Sequence, residues 1–271
     1  MAIDLKALEQ QYFWFDEPVV YNLKKGGEVK ISPISLRQST LFLSDIGLFM
    51  IDKNISNSVE VIQMSYLEFY IMLMTQDDNN RIKFVNLMLM CLGFKHPIIN
   101  KVDDRFVLQD IEQGVTITAK EFDEIKRIIL YQNIVGYDDS YISPDLKEAM
   151  RQTDELKNKD FAELTIERKM SIIMAHNGML KKDLQEMSFR SFTLLFNEVC
   201  GEVDFTTVRP ISIYGGKEID HWIFKKKKNR FEDYITSKDN LMSQMGGEGK
   251  FAGTTDTSRG DFLDNMFNKN K

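Results

Sequence analysis

Gly114-Val115-Thr116-Ile117-Thr118-Ala119-Lys120-Glu121-Phe122 contains the sharpest boundary in this chain. Up to Thr118 apolar and polar residues alternate, as in a strand with one covered face. From Phe122 the period changes, and Phe122, Ile125, Ile128, Ile129 and Gln132 recur at three- and four-residue spacing, as along a helix. Thr118 and Glu121 supply the hinge as a capping box, the hydroxyl accepting from a free helix N–H and the carboxylate reaching back. Upstream, Arg105–Asp110 is a second strand, turned by Glu112-Gln113-Gly114, so a β-hairpin feeds directly into a helix.

The same grammar applies outward. Val19–Leu23, the turn Lys24-Lys25-Gly26-Gly27 and Glu28–Ile31 predict a first hairpin, with Val29 and Ile31 on one face and Glu28 and Lys30 on the other. From Ser35 to Ile51 the pattern predicts a buried helix interrupted near Gly47, with strand as the alternative. Val59–Met74 reads as one central core helix ending in the turn Asp77-Asp78-Asn79-Asn80, and Ile82–Leu92 as a second, stopped at Gly93 and sealed by His96-Pro97. Ser143-Pro144 opens a charged segment, solvated helix or linker, that makes the best domain boundary. Thr165–His176 and Leu184–Cys200 predict a helical hairpin across Asn177-Gly178. Short β segments are expected at Val203–Val208 and Ile211–Tyr214, and a flexible Gly/Ser/Thr/Asp-rich tail past Ser237. The expected fold is mainly α with one or two small β-hairpins (α+β) and a disordered C-terminal tail. Its domains would be a hairpin plus helical core over 1–140, a second helical unit over 141–236, and the tail over 237–271.

The chain has 271 residues, 43% hydrophobic and 28% charged, so it needs neither disulfides nor a metal to close a core. Its 35 basic and 41 acidic residues give −6, which argues against an electrostatic magnet for nucleic acid or anionic membrane. No stretch has the length of a membrane span, and Met1-Ala2-Ile3-Asp4-Leu5 does not open as a secretory leader, so a cytosolic, reducing setting is expected. Cys91 and Cys200 lie in apolar runs and read as small core residues.

Chemistry is sparse. His96, His176 and His221 form no paired metal-ligand motif, no serine sits in a G-x-S-x-G turn, and neither cysteine has an activating neighbour. Gly246-Gly247-Glu248-Gly249-Lys250 lacks the spacing of a phosphate loop. The acidic pairs Asp77-Asp78, Asp103-Asp104 and Asp138-Asp139 stand beside turn signals, where aspartate caps backbone groups. The methionines of the helical runs read as core filling, or as an adaptable binding surface. No catalytic residue, cofactor or metal is expected.

Three places read as binding surface instead. Tyr12, Phe13, Trp14 and Phe15 form an aromatic anchor before Pro18. Lys225, Lys226, Lys227 and Lys228, among Trp222, Phe224, Phe231 and Tyr234, suit an acidic protein partner or other copies of this chain; nucleic-acid binding by the basic aromatic segment 217–238 is the rival reading. Phe262, Leu263, Met266 and Phe267 form an apolar motif that would fold on a partner.

The order of an aromatic anchor, the hairpin ending Glu28-Val29-Lys30-Ile31-Ser32-Pro33-Ile34, a Leu/Phe-rich helix and Gln63-Met64-Ser65-Tyr66-Leu67-Glu68-Phe69, with Ile117–Ile129 and Ile219-Asp220-His221-Trp222, resembles bacteriophage tail proteins of low-GC hosts. The likeness runs from Tyr12 to Tyr234 and points to tail assembly chaperones and baseplate-hub assembly proteins. It implies a non-enzymatic assembly factor in the cytoplasm of the infected bacterium. That factor would bind the tape-measure protein, tail tube or baseplate subunits, with self-association in addition. The alternative it implies is a baseplate or tail subunit retained in the virion. Such chaperones are often made in short and long forms by ribosomal frameshifting, for which four lysine codons at 225–228 would be a suitable site.

Overall fold

The computed structural model describes residues 3–24, 26–56, 58–140, 142–143, 146, 148–153, 164–215 and 223. The fold is mainly α-helical with two small antiparallel sheets. By contact the chain divides into two compact units, Met1–Pro144 with Phe161–Phe224, and Asp145–Asp160 with Lys225–Lys271. In the second unit the described residues are 146 and the helical 148–153, where Arg151 pairs with Glu148. The proposed tail lies outside the described residues.

The first unit opens with helix α1 (Leu5–Gln11), capped by the Asp4 carboxylate, and a 3-10 turn over Phe13–Phe15. Strands β1 (Val19–Asn22) and β2 (Glu28–Ile31) pair with Val19 opposite Ile31. Helices α2 (Ser39–Asp45) and α3 (Gly47–Met50) follow, with the predicted break at Gly47.

The expected single helix over Val59–Met74 is two, α4 (Val59–Gln63) and α5 (Tyr66–Gln76). Ser65 separates them. Its hydroxyl accepts from the Glu68 N–H while the Glu68 carboxylate accepts from the Ser65 N–H at 2.8 Å, a capping box that starts a new helix inside an apolar run. Asp77, expected in a turn, caps α6 (Asp78–Leu92), which ends at Gly93 in the left-handed conformation.

The second hairpin gains a third strand. β3 (Pro97–Val102), β4 (Arg105–Asp110) and β5 (Val115–Thr118) form one sheet, β3 joined to β4 by Asp103 and Asp104, both at positive φ. Proline heads β3, where an edge strand tolerates its missing N–H. Thr118 and Glu121 then launch α7 (Ala119–Asn133) by the predicted capping box.

α8 (Ile166–Asn177) turns at Gly178 into α9 (Lys181–Glu186) and α10 (Phe189–Tyr214). The short β segments expected beyond Gly201 are helical: α10 runs through Gly201 and past Pro210. Its β-branched residues there meet no partner strand, and β-propensity without cross-strand packing is weak beside helix propagation from a capped, packed start at Ser188.

The main core stacks Phe49 on Tyr70 at 5.2 Å between ring centroids, with Phe122 edge-on to Phe49 at 5.9 Å and Phe84 alongside. Each such ring taken from water contributes about 1.5–3 kcal/mol. A smaller core joins Leu36 to Ile173, Leu184 and Phe192. It is tied by main-chain bonds from Leu36 to Met187 and from Phe189 to Ile34.

Candidate functional site

The aromatic anchor is split by the 3-10 turn. Phe13 is 3% exposed and belongs to the main core, so it is not available as a contact; Tyr12 is half-buried against the same core. Trp14 and Phe15 point the other way, 61% and 65% exposed.

The turn is fixed from both sides. Asp16 follows at φ 56°, a conformation aspartate tolerates. One of its carboxylate oxygens accepts from the Ser188 hydroxyl at 2.6 Å and the Ser191 hydroxyl at 2.9 Å, placing a negative charge at the N-terminus of α10. Arg190, 9% exposed, donates to the Tyr131 carbonyl at 3.0 Å and to the Glu9 carboxylate at 2.5 Å. Its guanidinium lies 5.8 Å from the Phe13 ring centroid. The segment from Glu9 to Asp16 is thereby clamped to α7 and α10, and the Trp14–Phe15 pair is presented on a held turn.

A second concentration of polar groups surrounds Lys126 on α7. This lysine is 4% exposed, and its ammonium nitrogen lies 3.2 Å from the Tyr66 ring centroid and 5.9 Å from that of Tyr70. Burial pulls its pKa down to about 8, against the pull of Asp123, Asp52 and Asp139, while Lys53 adds to the lowering. Burial raises Asp123 as well, although its carboxylate accepts the Tyr66 N–H at 3.1 Å. Tyr66 and Tyr70 are driven well above the ordinary phenol range, first by burial, and Tyr137 to about 12. Asp139 holds Arg127 at 2.5 Å and accepts from the Tyr131 hydroxyl at 2.7 Å, which keep its carboxyl low in spite of burial. A lysine near neutrality is a competent nucleophile or base, but this one sits against a ring face. The sequence carries a trace of it, because Lys126 stands one helical turn after Phe122 and three residues before Ile129, on the buried stripe.

Elsewhere the acidic pairs act as loop and helix caps, as their setting predicts. Asp77 accepts from the Asn79 N–H, and Asp103-Asp104 form the hairpin turn. His176 sits 3.2 Å from Glu202, joining α8 to α10. Burial raises the Cys91 and Cys200 thiols, the opposite of activation. Among the described residues no group of three or more His, Cys, Asp and Glu side chains could hold a metal ion, and no helix is long and apolar enough to cross a membrane.

Comparison with known proteins returns no matching family model, curated protein or solved structure. Of the three predicted contact surfaces, Lys225–Lys228 and the Phe262, Leu263, Met266, Phe267 motif lie outside the described residues. The aromatic turn is described, and only its outer pair is presented.

Proposed function

We propose that this chain is a non-enzymatic bacteriophage tail assembly factor, a chaperone-like binder of tape-measure or tail subunits that engages its partner through Trp14 and Phe15. The observation behind the binding half is the exposed aromatic pair on a turn held by Phe13, Asp16 and Arg190. Large aromatics fixed on a surface are the residues that dominate interface energetics, and prior ordering of the turn lowers the cost of binding. The tail-assembly half rests on the sequence resemblance.

The test is a pull-down of the full chain from infected-cell lysate beside a Trp14→Ala/Phe15→Ala variant, with mass spectrometry of the bound proteins and of purified particles. Recovery of tape-measure or tail proteins by the parent, a loss of roughly tenfold or more in the variant, and absence of the chain from particles are the expected results. Stoichiometric presence in particles makes the protein a retained baseplate or tail subunit instead. Failure to recover any tail protein, with nucleic acid bound at low salt and released as salt rises, replaces both with the nucleic-acid reading of segment 217–238.

A further inference from the structure

The first hairpin has an edge whose hydrogen-bonding groups can be assigned. Gly26 N–H donates to the Leu23 carbonyl at 3.1 Å and Leu23 N–H to the Gly27 carbonyl at 3.0 Å, so across a bulge at Gly26-Gly27 both main-chain groups of Leu23 face the β2 side, as in the hydrogen-bonded pairs of the ladder. In an antiparallel ladder such pairs alternate with non-bonded ones. Val29 and Ile31 therefore spend their main-chain groups on Tyr21 and Val19, while those of Glu28, Lys30 and Ser32 point away from β1. Ser32 confirms the assignment, since its N–H reaches outward to the Cys91 carbonyl at 2.8 Å, closing that end of the edge.

Among the described residues, nothing takes up the main chain of Glu28 and Lys30. It borders a cleft of about 370 Å³ whose other lining residues include Gly93, Phe94, Gln113 and Val115. The side chains of Glu28 and Lys30 are exposed on one face, and Val29 between them is buried on the other.

An antiparallel strand added to this edge would match it best with an acidic residue opposite Lys30, an apolar one opposite Val29 and a basic one opposite Glu28. Read from N- to C-terminus, that order is acidic, apolar, basic. It is the order of Glu28-Val29-Lys30 itself. We propose that the β2 edge is a self-association surface, on which β2 of a second copy pairs antiparallel about a two-fold axis through Val29 and joins the two hairpins into one four-stranded sheet. Glu28 of each copy then faces Lys30 of the other, and the same two residues exchange the four main-chain hydrogen bonds that each edge leaves open. An isologous contact of this kind closes at the dimer and does not propagate. The inference does not depend on the tail-assembly reading, because it uses a different surface and a different partner.

Sedimentation velocity on the full chain tests it, with Lys30→Glu, Glu28→Lys and their equimolar mixture. The parent's mass should climb with concentration from 31.6 kDa towards twice that value. Each variant alone, with like charges opposed, should dissociate about tenfold more readily or further. The mixture should recover the dimer, since two acidic positions then face two basic ones. Lys30→Pro removes one outward N–H without touching the β1 pairing, and it should also leave a monomer; Val20→Pro, the matching change on the opposite edge, should not. A parent that stays at 31.6 kDa up to millimolar concentration overturns the proposal. So do charge variants that dimerise like the parent, which would move the contact to another surface such as Trp14–Phe15.

Discussion

Arg190 and Lys126 are both buried cations set against an aromatic ring, and they are buried in opposite ways. Arg190 directs donors to the Tyr131 carbonyl and the Glu9 carboxylate, and Phe13 packs beneath its guanidinium. Lys126 rests on Tyr66, while Asp123, the carboxylate that pulls on it most, is already engaged by the Tyr66 main chain. One cation ties three segments together; the other is tolerated. A buried charge adds to the hold of a fold only when hydrogen bonds replace the water it has lost.

The largest expected effect comes from breaking the tie. Arg190→Met leaves the Tyr131 carbonyl without its donor and the N-terminal segment without its clamp, at a cost of about 2–4 kcal/mol. Urea unfolding should show the loss as a lower midpoint. Hydrogen exchange should speed up in residues 5–17, while the α5–α7 core stays protected to the extent the remaining stability allows.

Lys126→Met should act in the other direction. The folded-state pKa of about 8 lies below the value near 10.5 of an unhindered lysine, so between those two pH values the unfolded chain binds more protons than the native one. Native stability therefore rises with pH across that window, and below pH 8 the full penalty is present. At pH 7 the methionine variant should be more stable by about 1–3 kcal/mol, the loss of the ring contact offsetting part of the gain. The advantage should shrink through pH 8–10.5. A variant less stable than the parent at pH 7 would mean that Lys126 holds its neighbours as Arg190 does, and would erase the contrast.

The contrast also marks what could be read ahead of the structure. Both hairpins, the Thr118–Glu121 capping box and the stop at Gly93 follow from local grammar, because a turn glycine or a capping pair works within four residues. Ser65–Glu68 obeys the same rule as Thr118–Glu121, but the unbroken apolar run around it masks the boundary. β3 was hidden by Pro97, which forbids helix and equally suits an edge strand. In Tyr12–Phe15 the composition announces an anchor, yet which ring turns inward depends on the 3-10 turn and on Asp16, and Asp16 is fixed by serines more than 170 positions away. The partners of Arg190 are equally remote, Glu9 being 181 positions off. Long-range partners of this kind leave no periodic trace.

The smallest effect separates charge from geometry in the Arg190 clamp. Glu9→Gln keeps an acceptor oxygen for the guanidinium and removes the negative charge. The Glu9 side chain is 42% exposed, so water and salt already screen its charge. If directed hydrogen bonds hold the arm, the glutamine variant should lose less than about 1 kcal/mol. Its urea midpoint should then sit much nearer the parent's than that of Arg190→Met, with little dependence on salt. A loss as large as that of Arg190→Met would assign the hold to the ion pair. In that case Arg190 would differ from Lys126 by owning a counter-charge and not by the acceptors its two terminal nitrogens reach, its Nε being buried without a partner among the described residues.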